Sequence, residues 1–102
     1  MDKEGVFKKI DKILRHKELC EKLHEIYTQK NRAYGDSFGR SFDDWGIASA
    51  AVRISDKVNR FYNLAKHPDV DHGDEAIQDT LFDLSNYALM TIMELEKQNG
   101  DD

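Results

Sequence analysis

The chain has 102 residues and a formal net charge of −5, with 34% charged side chains, 39% apolar side chains and a single proline. This length fits one domain, and the composition is typical of a folded helical protein rather than a disordered one. The acidic balance argues against binding to duplex nucleic acid or to anionic membranes. No apolar run approaches the roughly 20 residues of a membrane span, and the N-terminus lacks a signal-peptide core, so we expect a cytoplasmic protein.

The first predicted element is a helix over residues 3–28. Val6, Ile10 and Leu14 lie on one side of its first half, whereas the apolar stripe of the second half is rotated relative to the first. The two halves are separated by the polar segment 15–18. This pattern predicts either two helices with a bend or one long helix whose halves contact different neighbours.

Residues 29–45 change in character and predict a loop, because they combine two glycines and four aromatic residues with no clear period. One interpretation is an ordered loop whose aromatic side chains reach the core. The other is a lid whose aromatic residues, Tyr34 among them, stack on a planar ligand while Lys30, Asn31 and Arg40 hold anionic oxygens. The residues alone favour the two interpretations equally.

The second strong helical pattern covers residues 46–66. It has an apolar side and a polar face, and that face contains Arg53, Asp56, Lys57 and Arg60. Arg53, Asp56 and Arg60 stand at i, i+3 and i+7, so one carboxylate lies between two guanidinium groups. This arrangement is either a surface ion-pair ladder or a phosphate clamp.

The third helical pattern, over residues 74–98, carries two stripes. We call the apolar one the aliphatic stripe and predict that it faces the core; its members are Ile77, Leu81, Leu84, Ala88, Ile92 and Leu95. The second stripe is a row of oxygen ligands made by Glu75, Asp79, Asp83 and Asn86. Carboxylates on successive turns repel each other, and either a hard cation such as Mg²⁺ or Mn²⁺ or the cations of the preceding helix would relieve that repulsion.

The link over residues 67–73 is short and contains Pro68, so the helices over 46–66 and 74–98 must run antiparallel as a helical hairpin. The hairpin places the basic and acidic faces opposite each other. Together with the helix over 3–28 it predicts a single all-α domain over residues 1–102. Three such helices cannot cover all of their apolar surface, so we expect oligomerisation.

Three segments resemble the nucleotide-modification-associated domain family of phage and bacterial proteins. They are KNRAYGDSF (30–38), RISDKVNRFYNL (53–64) and DEAIQDTLFDLSNYALM (74–90), and the resemblance extends over about residues 20–95 in the same order. The family is in turn distantly similar to the all-α NTP pyrophosphohydrolases of the MazG and dimeric dUTPase types. In those enzymes acidic residues on helices bind Mg²⁺, and a dimer or tetramer completes the site.

The resemblance implies a nucleotide-binding protein of phage or bacterial nucleotide metabolism or DNA modification, with Mg²⁺-dependent (Mn²⁺ as substitute) hydrolysis of a nucleoside or deoxynucleoside triphosphate. It implies a homo-oligomer in the cytoplasm, in the host's if the protein is phage-encoded. The metal ligands would be Glu75, Asp79 and Asp83, and the catalytic residues Asp79, Asp83 and Asp56. The nucleotide would be bound by Lys30, Asn31, Tyr34, Arg53, Lys57, Arg60 and Asn86.

Two departures from the family pattern favour an alternative. Ala33 stands where the family has aspartate, and the hairpin's first helix offers only Asp56 as an acid, unless Glu21 and Glu25 of the N-terminal helix contribute. The pyrophosphohydrolases generally carry paired acids on two helices. The alternative is a non-catalytic module that binds a nucleotide or a protein, for example a phage accessory or counter-defence factor.

Overall fold

Helices account for nearly all of the residues that the computed structural model describes, which are 11–67 and 73–100. No strand occurs in these two ranges, which confirms the all-α prediction. The predicted helical residues 3–10 and residues 68–72 of the predicted link lie outside the described ones. None of the described helices is both long and apolar enough to pass through a membrane. The helices are α1 (Lys12–Tyr34), α2 (Ser37–Trp45), α3 (Ile47–Lys66) and α4 (Gly73–Gln98).

α1 is one continuous helix from Lys12 through the polar segment 15–18, and it continues to Tyr34 rather than ending at residue 28. The choice between two helices and one long helix over residues 3–28 stays a prediction, because residues 3–10 lie outside the described ones. The carboxylate of Asp11 accepts hydrogen bonds from the backbone N–H groups of the second and third helical residues, at 3.0 and 3.2 Å, and thereby caps the helix start. Backbone contacts divide the chain into two compact units, the first ending at Ala33 and the second beginning with Tyr34. The prediction of one domain over the whole chain stays a prediction.

The loop predicted for residues 29–45 is wrong at both ends, because α1 extends into it and Ser37–Trp45 forms α2. The Asp36 carboxylate starts α2 by accepting a hydrogen bond from the backbone N–H of Gly39 at 3.1 Å. Gly39 is buried, and a Cβ there would collide with that same carboxylate. The hydrogen bond that caps α2 therefore requires a glycine at position 39.

α2 supplies most of the small buried core in the second unit. Phe38 and Phe42 stand four residues apart, so both point to the same side of the helix, and they pack with Ala50 of α3. Tyr87 and Met90 of α4 pack against this cluster. The loop interpretation in which aromatic side chains reach the core is thus correct for these two phenylalanines, although a helix presents them.

α3 and α4 pack as the predicted antiparallel hairpin. Lys57 lies beside Asp83, and Arg60 lies beside Thr80, so a step of three residues forward along α3 matches a step of three residues back along α4. In this register Tyr87 of α4 lies level with the first turns of α3. It is therefore next to α2, and it packs against the phenylalanines of that helix.

The aliphatic stripe of α4 is not the face that packs inside the second unit, so that part of the prediction is wrong. Only Ile77 and Leu84 are partly buried, whereas the other four members are exposed. The buried side chains of α4 are instead the polar ones of Thr80, Asn86 and Thr91. The packed face is rotated from the stripe by roughly 100° around the helix axis, because α4 is held by polar contacts to α3 and by Tyr87 and Met90 against α2.

Candidate functional site

The cationic side chains of α3 lie against α4 and α2. We call Arg53, Lys57 and Arg60 the cationic row. Lys57 Nζ forms an ion pair with Asp83 Oδ2 at 3.1 Å, and Arg60 Nε donates a hydrogen bond to Thr80 Oγ1 at 3.2 Å. The predicted opposition of basic and acidic side chains across the hairpin is therefore present at Lys57 and Asp83.

Arg53 is held in place by α2. Its Nη2 donates a hydrogen bond to Ser41 Oγ at 3.1 Å, and its guanidinium carbon lies 5.6 Å from the centre of the Phe38 ring. The Phe38 ring also stacks with the ring of Tyr87, with ring centres 5.8 Å apart. A guanidinium has five N–H donors and Ser41 takes one of them, so Arg53 is oriented and still has donors to offer.

The Lys57–Asp83 pair is partly desolvated, with 26% and 20% of the two side chains exposed. At such a position the loss of either partner leaves a charge that is poorly solvated. The pair therefore fixes the register of the hairpin, and it also neutralises the middle member of the cationic row. The cations at the two ends of the row are then separated by two helical turns, roughly 10 Å along the axis.

The predicted acidic ligands are distributed along α4 rather than gathered around one point. Glu75, Asp79 and, on α3, Asp56 are exposed, whereas Asp83 is partly buried and bound to Lys57. Among the residues that the structure describes, no three histidine, cysteine, aspartate or glutamate side chains form a group that would hold a metal ion. The metal site formed by Glu75, Asp79 and Asp83 stays a prediction.

The remaining predicted ligands fall into both units. Lys30 and Asn31 lie near the end of α1 in the first unit, where the Asn31 amide donates to the Tyr27 hydroxyl at 3.5 Å. Tyr34 is the last residue of α1 and is 70% exposed. Asn86 is buried on α4, so it is not on an open surface.

Sequence patterns did not identify Ser41 and Thr80, the residues that bind the two arginines of the cationic row. Thr80 stands three residues before Asp83, so the hairpin register would have predicted its contact with Arg60. Ser41 gave no such signal, because it fell in the segment interpreted as a loop.

Comparison with known proteins gives one informative match. A family model described as nucleotide modification associated domain 1 matches residues 30–95. The matched range contains α2, α3 and most of α4, and with them the whole cationic row and all of its contacts. Searches of curated proteins and of solved structures produced no significant match.

Proposed function

Because this chain belongs to the nucleotide modification associated domain 1 family, we propose that it binds a nucleotide in the cytoplasm and that the phosphates lie on the cationic row of α3. The observation that supports this is the way in which Arg53 and Arg60 are held. Each has one guanidinium nitrogen bound by a hydroxyl group of a neighbouring helix, Ser41 for the first and Thr80 for the second.

Guanidinium groups suit phosphate oxygens because they present paired N–H donors in a fixed plane and keep their charge at any physiological pH. A net charge of −5 does not oppose this, because binding depends on the local potential rather than on the total. The hydroxyl contacts lower the conformational freedom of the two arginines before a ligand arrives. Less side-chain entropy is then lost on binding.

The predicted Mg²⁺ ion would need ligands that the described residues of one chain do not gather. Asp83 has Lys57 as its partner, and Glu75 and Asp79 are exposed side chains on successive turns. The proposal is accordingly built on phosphate binding by arginine, and no hydrolytic step is assigned to these acids. The binding experiments are therefore carried out both with and without Mg²⁺.

Hydrolysis of a nucleoside triphosphate to the monophosphate and pyrophosphate is the second candidate. The exposed carboxylates of Glu75 and Asp79 favour it, because they stand one turn apart and Asp79 directly precedes Thr80, the contact of Arg60. The alternative to hydrolysis is a non-catalytic module that binds a nucleotide or a protein. Such a module requires neither of these carboxylates.

Calorimetric titration with ribonucleoside and deoxyribonucleoside monophosphates and triphosphates, with and without Mg²⁺, tests the proposal. We expect at least one nucleotide to bind, and to bind more tightly than the nucleoside that lacks its phosphates. Chromatography of the same mixtures detects monophosphate and pyrophosphate, which decides between the enzyme and the binding module. If no nucleotide binds under either condition, the proposed function is wrong.

Arg53→Gln and Arg60→Gln test the cationic row itself. Each removes a charge-assisted contact of roughly 1.5–3 kcal/mol, so each should weaken nucleotide binding by about tenfold or more. The matched control is Arg15→Gln on α1, since Arg15 is a half-exposed arginine paired with Glu18 and lies outside the family match. Equal losses in all three variants, or none, would contradict the assignment of the phosphates to α3, provided that circular dichroism shows intact helices.

A further inference from the structure

Trp45 ends α2 with an accessible aromatic ring. Its side chain is 76% exposed, whereas Phe38 and Phe42 of the same helix are buried. Trp45 stands four residues after Ser41, so the two residues lie on successive turns of one side of α2, roughly 6 Å apart along the axis. Ser41 Oγ is the acceptor that holds the Arg53 guanidinium. The helix side that binds the first arginine of the cationic row therefore continues, one turn further on, into an indole that is open to a ligand.

We propose that a nucleotide binds to the second unit in one direction, with its base stacked on Trp45, the phosphate next to its sugar on Arg53 and its terminal phosphate on Arg60. This inference rests on the proposed function and adds to it the orientation of the ligand and the residue that receives the base. Stacking suits an exposed indole, because every base has a flat π face that needs no hydrogen-bond partner. The ring therefore accepts purine and pyrimidine bases alike.

The opposite end of the cationic row is arranged differently. Tyr62 stands two residues after Arg60, so it points to the opposite side of α3, and Lys66 Nζ lies 6.0 Å from the centre of its ring. Phe61 is partly buried, with its ring centre 6.2 Å from that of Tyr62. Arg60 itself contacts the hydroxyl group of Thr80. α3 thus offers a guanidinium in polar surroundings at this end, which suits a phosphate, and no open ring beside it on which a base could stack.

The length of the cationic row adds a dependence on the number of phosphates. Arg53 and Arg60 stand two helical turns apart, so a single phosphate cannot contact both, whereas a polyphosphate that extends from the base along α3 can. A triphosphate should therefore depend on both arginines, and a monophosphate mainly on Arg53. A nucleotide bound in the reverse direction would make the monophosphate depend on Arg60 instead.

Trp45 is the only tryptophan of the chain, so its fluorescence reports on the base directly. We expect ATP, CTP and the corresponding monophosphates to quench this emission, and inorganic triphosphate to compete with them without comparable quenching. In calorimetric titration, Trp45→Leu should weaken nucleotide binding by about tenfold and leave the affinity for inorganic triphosphate unchanged. Tyr62→Leu is the matched control, since Tyr62 is an aromatic residue that is 54% exposed on the opposite side of α3.

Arg60→Gln and Arg53→Gln test the direction. Arg60→Gln should cost the triphosphate about tenfold more affinity than the monophosphate, whereas Arg53→Gln should weaken both ligands by similar factors. A monophosphate that depends on Arg60 rather than on Arg53 would overturn the inference, as would a loss of affinity in Tyr34→Leu in place of Trp45→Leu. Nucleotide binding that leaves the emission unchanged, or equal losses in Trp45→Leu and Tyr62→Leu, would also overturn it. In all of these outcomes a nucleotide still binds, whereas the absence of any nucleotide binding would overturn the proposed function as well.

Discussion

The two sides of α4 differ in polarity, and it is the more polar side that packs against the neighbouring helices. The side that packs against α2 and α3 presents Thr80, Asp83 and Thr91 together with Tyr87, whereas the outer side presents leucine, isoleucine and methionine to solvent. A helix of a small protein usually buries its most apolar stripe. Here the polar side is fixed by specific partners, whereas most of the apolar side is exposed.

This contrast indicates that the two faces have different tasks. Polar contacts such as Lys57–Asp83 and Arg60–Thr80 contribute little net stability, but they specify one register, because an incorrect register would leave them unsatisfied. Apolar contacts contribute more stability, and they can form in more than one register because they are not directional. The packed face is therefore suited to fixing the position of the cationic row, whereas the exposed outer face carries no contact that would fix a register.

The largest effect is expected from truncation of the core against which the packed face lies. Phe42 is 1% exposed, so Phe42→Ala should lower the free energy of unfolding by about 3–5 kcal/mol. Ile92→Ala, on the outer face, should change it by less than about 0.5 kcal/mol. Urea unfolding followed by circular dichroism measures both free energies, at one and the same protein concentration. Equal losses would mean that the outer face is covered within the chain and that the contrast does not exist.

A smaller effect should separate two aspartates that lie one turn apart on α4. Asp83→Asn removes the partner of Lys57 from a partly desolvated pair and should cost about 1–2 kcal/mol. Asp79→Asn alters an exposed side chain and should cost less than about 0.5 kcal/mol. The same unfolding measurement compares them.

The aspartate comparison also tests the predicted metal site. If both acids bound Mg²⁺, both variants would lose an Mg²⁺-dependent increase in melting temperature. If Asp83 serves only Lys57, Asp83→Asn would lower the melting temperature equally with and without Mg²⁺. Restoration of stability by Lys57→Met in the Asp83→Leu background would show that the pair acts as a unit.

The sequence predicted the elements that local rules determine. The period of α3 and α4 and the short link with Pro68 were enough for the all-α class and the antiparallel hairpin. The hairpin also predicted that the basic and acidic faces oppose each other, although the particular pair of Lys57 and Asp83 is seen only in the structure. These features depend on spacing along one or two helices, which the sequence displays directly.

The features that the sequence did not predict depend on which of two possible helix faces packs inside the unit. α4 carries an apolar and a polar stripe, and which of them packs inside the unit depends on α2, which the sequence analysis interpreted as a loop. The spacing of Phe38 and Phe42 and the capping position of Asp36 were the available signals for α2. The dense glycine and aromatic content of the segment obscured them, and without α2 neither the anchor of Arg53 nor the role of Tyr87 was visible.

The smallest effect is expected at the two buried threonines of the packed face. Thr80 Oγ1 donates to the carbonyl of Ala76 at 2.8 Å and also accepts from Arg60, whereas Thr91 Oγ1 donates to the carbonyl of Tyr87 at 2.7 Å. Valine has the same shape as threonine and lacks the hydroxyl. Thr80→Val should therefore cost about 1 kcal/mol, since Arg60 loses an acceptor, and Thr91→Val should be within about 0.5 kcal/mol of the wild type.

Urea unfolding of the two threonine variants measures the difference, and nucleotide titration of the same proteins adds a second result. If Thr80 orients Arg60 toward phosphate, Thr80→Val should weaken nucleotide binding by several-fold, and Thr91→Val should leave it unchanged. A Thr80→Val protein that is less stable but binds normally would limit the polar contacts of α4 to a structural role. Weaker binding in both variants would mean that the affinity follows overall stability rather than the position of Arg60.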